Sequence, residues 1–173
     1  MNQNVIDNET QEKLDAFIKQ EEGDSNDYKG LLAKFITLVA VGMSLFHLYA
    51  AYSIVPTQQL RVIHVALVLF LVFLSFPIAA RFKNRLMPWD IVFALGSIAI
   101  SYYILSGGDD FMDRNTAPNP TDVMVGIALI LLILESVRRT NGMILVTVTI
   151  LFLLYALFGN YLPAPWTHKG YDL

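Results

Sequence analysis

The chain has no cysteine, which excludes disulfides, thiolate metal sites and cysteine nucleophiles. It is also poor in charge. Asp, Glu, Lys and Arg make up 16% of its 173 residues, and a net charge of -3 with no basic face offers nothing to a nucleic-acid backbone. No Gly-rich phosphate loop, zinc-binding helix signature or nucleophile elbow occurs. No catalytic residue, metal site or cofactor is expected, and the chain does not read as an enzyme.

What is present is apolar. Hydrophobic residues make up 55% of the chain, and a mean hydropathy of +0.50 is far above that of a soluble domain. Eight of the fifteen acids lie within the first thirty residues, outside the apolar runs. About thirty polar residues precede a first apolar run that is too long for a signal-peptide core, so that run should remain as an anchor.

The predicted fold class is all-α: an integral membrane helical protein with about five transmembrane helices, preceded by a short amphipathic helix. That first helix rests on Leu14, Phe17 and Ile18 at helical spacing, with Glu9–Lys13 and Asp15–Lys19 as i,i+4 pairs. The first span runs from about Leu31 to Ile54 and the second from about Leu60 to Ala80, joined by Pro56-Thr57-Gln58-Gln59. Pro77 leaves the carbonyl of Phe73 without its usual donor, which predicts a kink. The third span opens at Pro88-Trp89-Asp90, with proline in the first turn and aspartate at the positive end of the helix dipole, and ends near Leu105. Ser106 to Pro120 is expected to be an acidic loop. Asn119-Pro120-Thr121-Asp122 starts the fourth span, and the fifth covers Met143 to Phe158. Glu135-Ser136-Val137-Arg138-Arg139 is expected to form the turn between these last two.

Basic residues set the expected orientation. Lys13, Lys19, Lys29, Lys34, Arg81, Lys83, Arg85, Arg138 and Arg139 fall on one side of a five-span chain, and Arg61, Arg114 and Lys169 on the other. Nine against three predicts the N-terminus inside and the C-terminus outside. The domain reading is a polar acidic cytoplasmic segment over 1–27, a five-span domain over 28–160, and a tail or connector on the far side over 161–173.

Few polar groups enter the apolar runs. Glu135 has Arg138 and Arg139 three and four residues on, the spacing of a helix-face ion pair that could clasp the second basic loop or a lipid headgroup; a proton or cation site is the alternative. Arg81, Lys83, Arg85, Glu135, Arg138 and Arg139 are the expected organisers of the cytoplasmic face. His47 and His64 lie at similar depth on adjacent spans. They read as interhelical hydrogen-bonding groups, with Ser44, Tyr49 and Arg61 available, or as axial ligands of a haem; Asp90 is a further candidate for such a contact. Ala40-x-x-x-Ser44 and Ser97-x-x-x-Ser101 are small-residue spacings that favour close helix approach.

Several stretches together resemble one family. Ser44-Leu45-Phe46-His47-Leu48-Tyr49, then Gln59, Arg61 and His64, Pro88-Trp89-Asp90, Glu135-Ser136-Val137-Arg138-Arg139, Tyr155-Ala156-Leu157-Phe158-Gly159-Asn160-Tyr161-Leu162-Pro163 and His168-Lys169-Gly170-Tyr171 resemble, in order and spacing, the N-terminal part of TAXI-type permeases of tripartite ATP-independent periplasmic (TRAP) transporters. Asn160 and Lys169 stand where that family more often has proline and arginine. The resemblance implies a bacterial inner-membrane system in which a periplasmic TAXI-type substrate-binding protein delivers a small organic anion, such as a dicarboxylate, to a cation-driven permease. This chain would be the small Q-type part, a static scaffold bracing the large M-type part that holds the transport sites. Lipids and those two proteins would be its partners. A fifth span would carry the chain to the periplasmic side for a covalent fusion to the large part. A haem-binding membrane anchor of a redox enzyme and a membrane assembly protein are the alternatives.

Overall fold

The computed structural model describes residues 10, 11, 13, 14 and 25–169. Six helices follow in order among the described residues from position 25: α1 (Leu31–Tyr52), α2 (Thr57–Ser75), α3 (Pro88–Ser106), the short α4 (Gly108–Asp113), α5 (Pro120–Asn141) and α6 (Met143–Phe158). Five of these, with α6 extended to Tyr161, are long and apolar enough to cross a membrane. The protein is an all-helical, multi-pass membrane protein. Thr10, Gln11, Lys13 and Leu14 are helical, but Phe17 and Ile18 of the expected amphipathic helix lie outside the described residues.

The centre of the bundle is the α2–α3 contact. Leu69, Phe73 and Leu74 of α2 are buried against Ala94 of α3, and Leu129 and Leu132 of α5 close over them. The helices can approach because α3 presents a buried stripe of small residues, Ala94, Ser97 and Ser101. The two hydroxyls return to their own helix, Ser97 donating to the Ala94 carbonyl (2.8 Å) and Ser101 to that of Ser97 (2.8 Å), so neither is orphaned by burial. Ser44 does not play this part. Ser44 is exposed and its hydroxyl donates to the Ala40 carbonyl.

The outer helices are less covered. Among the described helices α1 packs on α2 alone and α6 chiefly on α5, leaving Leu38, Leu45 and Leu48 of α1 and Ile144, Leu151 and Phe152 of α6 exposed. In a bilayer such side chains meet acyl chains or another helix.

Three expectations are corrected. The second helix ends at Ser75 rather than kinking and running to Ala80: Phe76, forced away from the helical region by the following Pro77, is extended (φ -113, ψ 122). Glu135 to Arg139 is not a turn but the last stretch of α5, held helical by its own i,i+3 and i,i+4 ion pairs. The turn is at Gly142, whose φ of 76 and ψ of -169 suit glycine alone. The expected loop over 106–120 is partly helical, with α4 followed by a 3-10 turn at Arg114–Thr116. Asp109 and Asp110 sit in the first turn of α4, where the helix dipole favours them.

Candidate functional site

Ending α2 before Pro77 leaves backbone carbonyls without helical donors, and an orphaned carbonyl in hydrocarbon needs another partner. Two arginines from the end of α5 supply it. Arg139 Nη1 donates to the Phe76 carbonyl (3.0 Å) and Arg138 Nη2 to the Ile78 carbonyl (2.8 Å). The proline break and the arginine pair thus form one device, in which one helix caps its neighbour.

The guanidinium groups are in turn held by acids. Glu135 accepts from Arg138 Nε (2.7 Å) and Nη2 (2.8 Å) and from Arg139 Nε (2.8 Å). Asp90 Oδ1 accepts from Arg139 Nη1 at 2.7 Å, while its Oδ2 accepts from the Met87 N–H at the start of α3 (2.9 Å). Two cations and two anions therefore balance in one cluster joining α2, α3 and α5. The Asp90–Arg139 pair is buried, with side chains 1% and 0% exposed. Phe73 and Phe93 flank the Arg139 guanidinium at 5.1 and 5.5 Å from its central carbon, a favourable placement for a desolvated cation. Nη2 of Arg139 has no hydrogen-bond partner; it is the one buried side-chain polar atom left so among the described residues.

The segment before α1 stitches across the same end. Asn26 N–H donates to the Ser75 carbonyl (2.7 Å), Asn84 N–H to Asn26 Oδ1 (2.6 Å), and Asp27 N–H to Asn84 Oδ1 (2.6 Å). Asn84 sits at φ 61, a conformation asparagine tolerates better than most residues. The Tyr28 hydroxyl accepts from Asn26 Nδ2 (2.9 Å). Burial, and then the nearby Asp90 charge, raise the Tyr28 pKa, which keeps the phenol neutral.

The expected candidates are thus only partly brought together. Glu135, Arg138, Arg139 and Asp90 form one cluster. Arg81 and Arg85 are exposed on the loop beside it, and the Arg81 guanidinium lies 4.6 Å from the Phe82 ring centre; the arginine pair clasps the backbone at Phe76 and Ile78 rather than the charges of Arg81, Lys83 and Arg85. Asn26, Tyr28 and Asn84 were missed: a lone asparagine in a polar stretch carries no periodic signal.

A second polar cluster lies at the opposite end of the α3–α5 pair. Asp122 accepts from Arg114 Nε (3.1 Å) and Nη2 (3.3 Å), from the Tyr103 hydroxyl (2.8 Å) and from the Asn119 N–H (3.1 Å). Asn119 Oδ1 accepts from the Asp122 N–H, completing the expected cap. The hydrogen bond to Asp122 raises the pKa of Arg114, so it stays cationic.

His47 and His64 meet directly. His64 Nδ1 and His47 Nε2 are 2.9 Å apart, and His47 Nδ1 lies 2.7 Å from the Met43 carbonyl. The expected neighbours Ser44, Tyr49 and Arg61 are not their partners. Two axial bonds of about 2 Å each would need facing nitrogens about 4 Å apart, so this arrangement does not fit a haem iron between the rings. Arg61 lies exposed in the first turns of α2, at the rim of a groove it forms with Val65, Ser101 and Leu129.

No protein-family model, curated protein or solved structure matches this chain.

Proposed function

We propose that this chain is a membrane scaffold: the small Q-type part of a TAXI-type TRAP permease in a bacterial inner membrane, oriented with its N-terminus inside. The observation that carries the reading is the charged cluster. Pro88-Trp89-Asp90 and Glu135-Ser136-Val137-Arg138-Arg139, two stretches on which the family resemblance rests, meet in it through Asp90 and Arg139. They pin three helices with balanced charges that are engaged with one another and with backbone carbonyls. Such a cluster resists relative sliding of the helices, as a static brace requires. The apolar outer faces of α1 and α6 offer surface for a large membrane partner, and the basic loop of Arg81, Lys83 and Arg85 suits the inner face. In this reading the large M-type part binds the substrate and coupling ion, and the scaffold contributes position.

The test is to tag the chain at its N-terminus in its native host, extract it in mild detergent, and identify what co-purifies together with the intact mass. A large multi-span partner, or a tagged chain much longer than 173 residues, is expected. A lone chain, or one with a haem absorbance, overturns the reading.

A further inference from the structure

The histidine pair carries information about what lies outside it. A carbonyl oxygen only accepts, so the His47 Nδ1 facing the Met43 carbonyl must carry the proton. In a neutral ring the other nitrogen, Nε2, then has none and must accept. His64 Nδ1, 2.9 Å from it, is therefore the donor. With the His64 ring neutral as well, the last position is assigned: its Nε2 is a bare acceptor. Among the described residues it has no hydrogen-bond partner, and His64 is exposed on the α1–α2 face. Arg61, one turn earlier on α2, makes no bond to it.

The position makes this costly. His64 is seven residues into α2, about 10 Å from the helix start and so below the headgroups. Lipid tails donate nothing, and the lipid ester groups nearest that depth accept only. A donor at that depth comes most readily from another helix, because helix backbones satisfy their own N–H groups and side-chain hydroxyls and amides reach across. α1 is open to such a neighbour, since among the described helices it packs on α2 alone.

We infer that the His47–His64 face is the docking site for a transmembrane helix of a partner, and that this helix presents a hydroxyl, amide or indole donor to Nε2 of His64. The inference rests on the scaffold reading for the existence of a large partner, and it adds which face of the scaffold that partner covers and with what chemistry.

These 173 residues contain no cysteine, so a single thiol can be placed on the scaffold and tested in native membranes. Ala51, exposed on α1 one turn from His47, is changed to Ala51→Cys and labelled with a benzophenone maleimide. Illumination is expected to give an adduct on an apolar helical segment with Ser, Thr, Asn, Gln, Tyr or Trp within about one turn of the attachment point. Adding His64→Leu should lower the adduct yield about three- to thirtyfold, the range for an interhelical hydrogen bond in a membrane. His64→Gln, which keeps an acceptor, should restore most of it. The inference is overturned by lipid adducts alone, by a partner segment without a donor, or by equal yields from all three residues at position 64. If a large partner co-purifies while any of these holds, the docking face is wrong and the scaffold reading stands. If nothing co-purifies and the tagged chain is no longer than 173 residues, both fall.

Discussion

α3 and α5 begin alike and end up in different surroundings. Each opens with proline at its first position and aspartate at its third, Pro88-Trp89-Asp90 and Pro120-Thr121-Asp122. In each, the aspartate turns one oxygen back to the N–H just before the helix, at 2.9 Å from Met87 and 3.1 Å from Asn119. Each also accepts from an arginine. For Asp122 that arginine is eight residues away in an adjoining turn and keeps 35% of its side chain exposed. For Asp90 it is forty-nine residues away at the far end of α5 and is wholly buried. One local motif therefore yields, at one end of the bundle, a clasp whose arginine reaches solvent and, at the other, a pin with both partners desolvated. The burial of the partner decides which.

The sharpest way to break that comparison is Asp90→Ala. Without Asp90, Arg138 and Arg139 share the single carboxylate of Glu135, which leaves one positive charge of the buried cluster unbalanced, so the loss should be about 3–5 kcal/mol. Phe73 and Phe93 hold the Arg139 guanidinium where it cannot easily reach water. Thermal unfolding followed by circular dichroism in a mild detergent would measure it. Asp90→Asn, which retains an oxygen for the Met87 N–H, should recover only the capping share. If Asp90→Ala proves no more damaging than the corresponding Asp122→Ala, burial does not distinguish the two ends.

Much of this architecture was readable from residue order. The five apolar runs, the helix starts at Pro88 and Pro120, and the i,i+3 and i,i+4 pairing of Glu135 are local patterns, and local patterns survive folding. The Asp90–Arg139 pair was not readable, because both residues already had good local explanations: Asp90 as a helix-start acid and Arg139 as a partner of Glu135. Pro77 misled for a related reason. Inside a run of apolar residues it reads as a kink, and only the arriving arginines make complete termination tolerable, by taking the Phe76 and Ile78 carbonyls. The histidines were placed at matching depth from the sequence. Their direct bond depends on helix rotation, which the few scattered polar residues of α1 do not encode.

A smaller effect separates the ends through backbone rather than charge. Gly142 stops α5 just after Arg138 and Arg139, in a conformation open to glycine alone, and no atom lies within 4 Å of where a side chain would begin. Gly142→Ala should therefore cost about 1–3 kcal/mol as pure backbone strain. Because it shifts the turn that carries the arginine pair, it should act less than additively with Asp90→Ala and additively with Asp122→Ala. A double-mutant cycle on unfolding midpoints would read this. Equal additivity with both would mean that the turn does not position the buried pin.

The weakest expected effect is Asp122→Ala itself, and its salt dependence is more telling than its size. The Tyr103 hydroxyl and the Asn119 N–H lose an acceptor with the carboxylate, but Arg114 is exposed enough to be hydrated. The difference from the unsubstituted protein should therefore be smaller than for Asp90→Ala. It should also narrow on going from 0.1 to 1 M salt, over which the screening length falls from about 10 to about 3 Å. The Asp90→Ala difference should change little over the same range, since ions do not enter the space between Asp90 and Arg139. Parallel salt responses would mean that water reaches both clusters, and the pin would then be a second clasp.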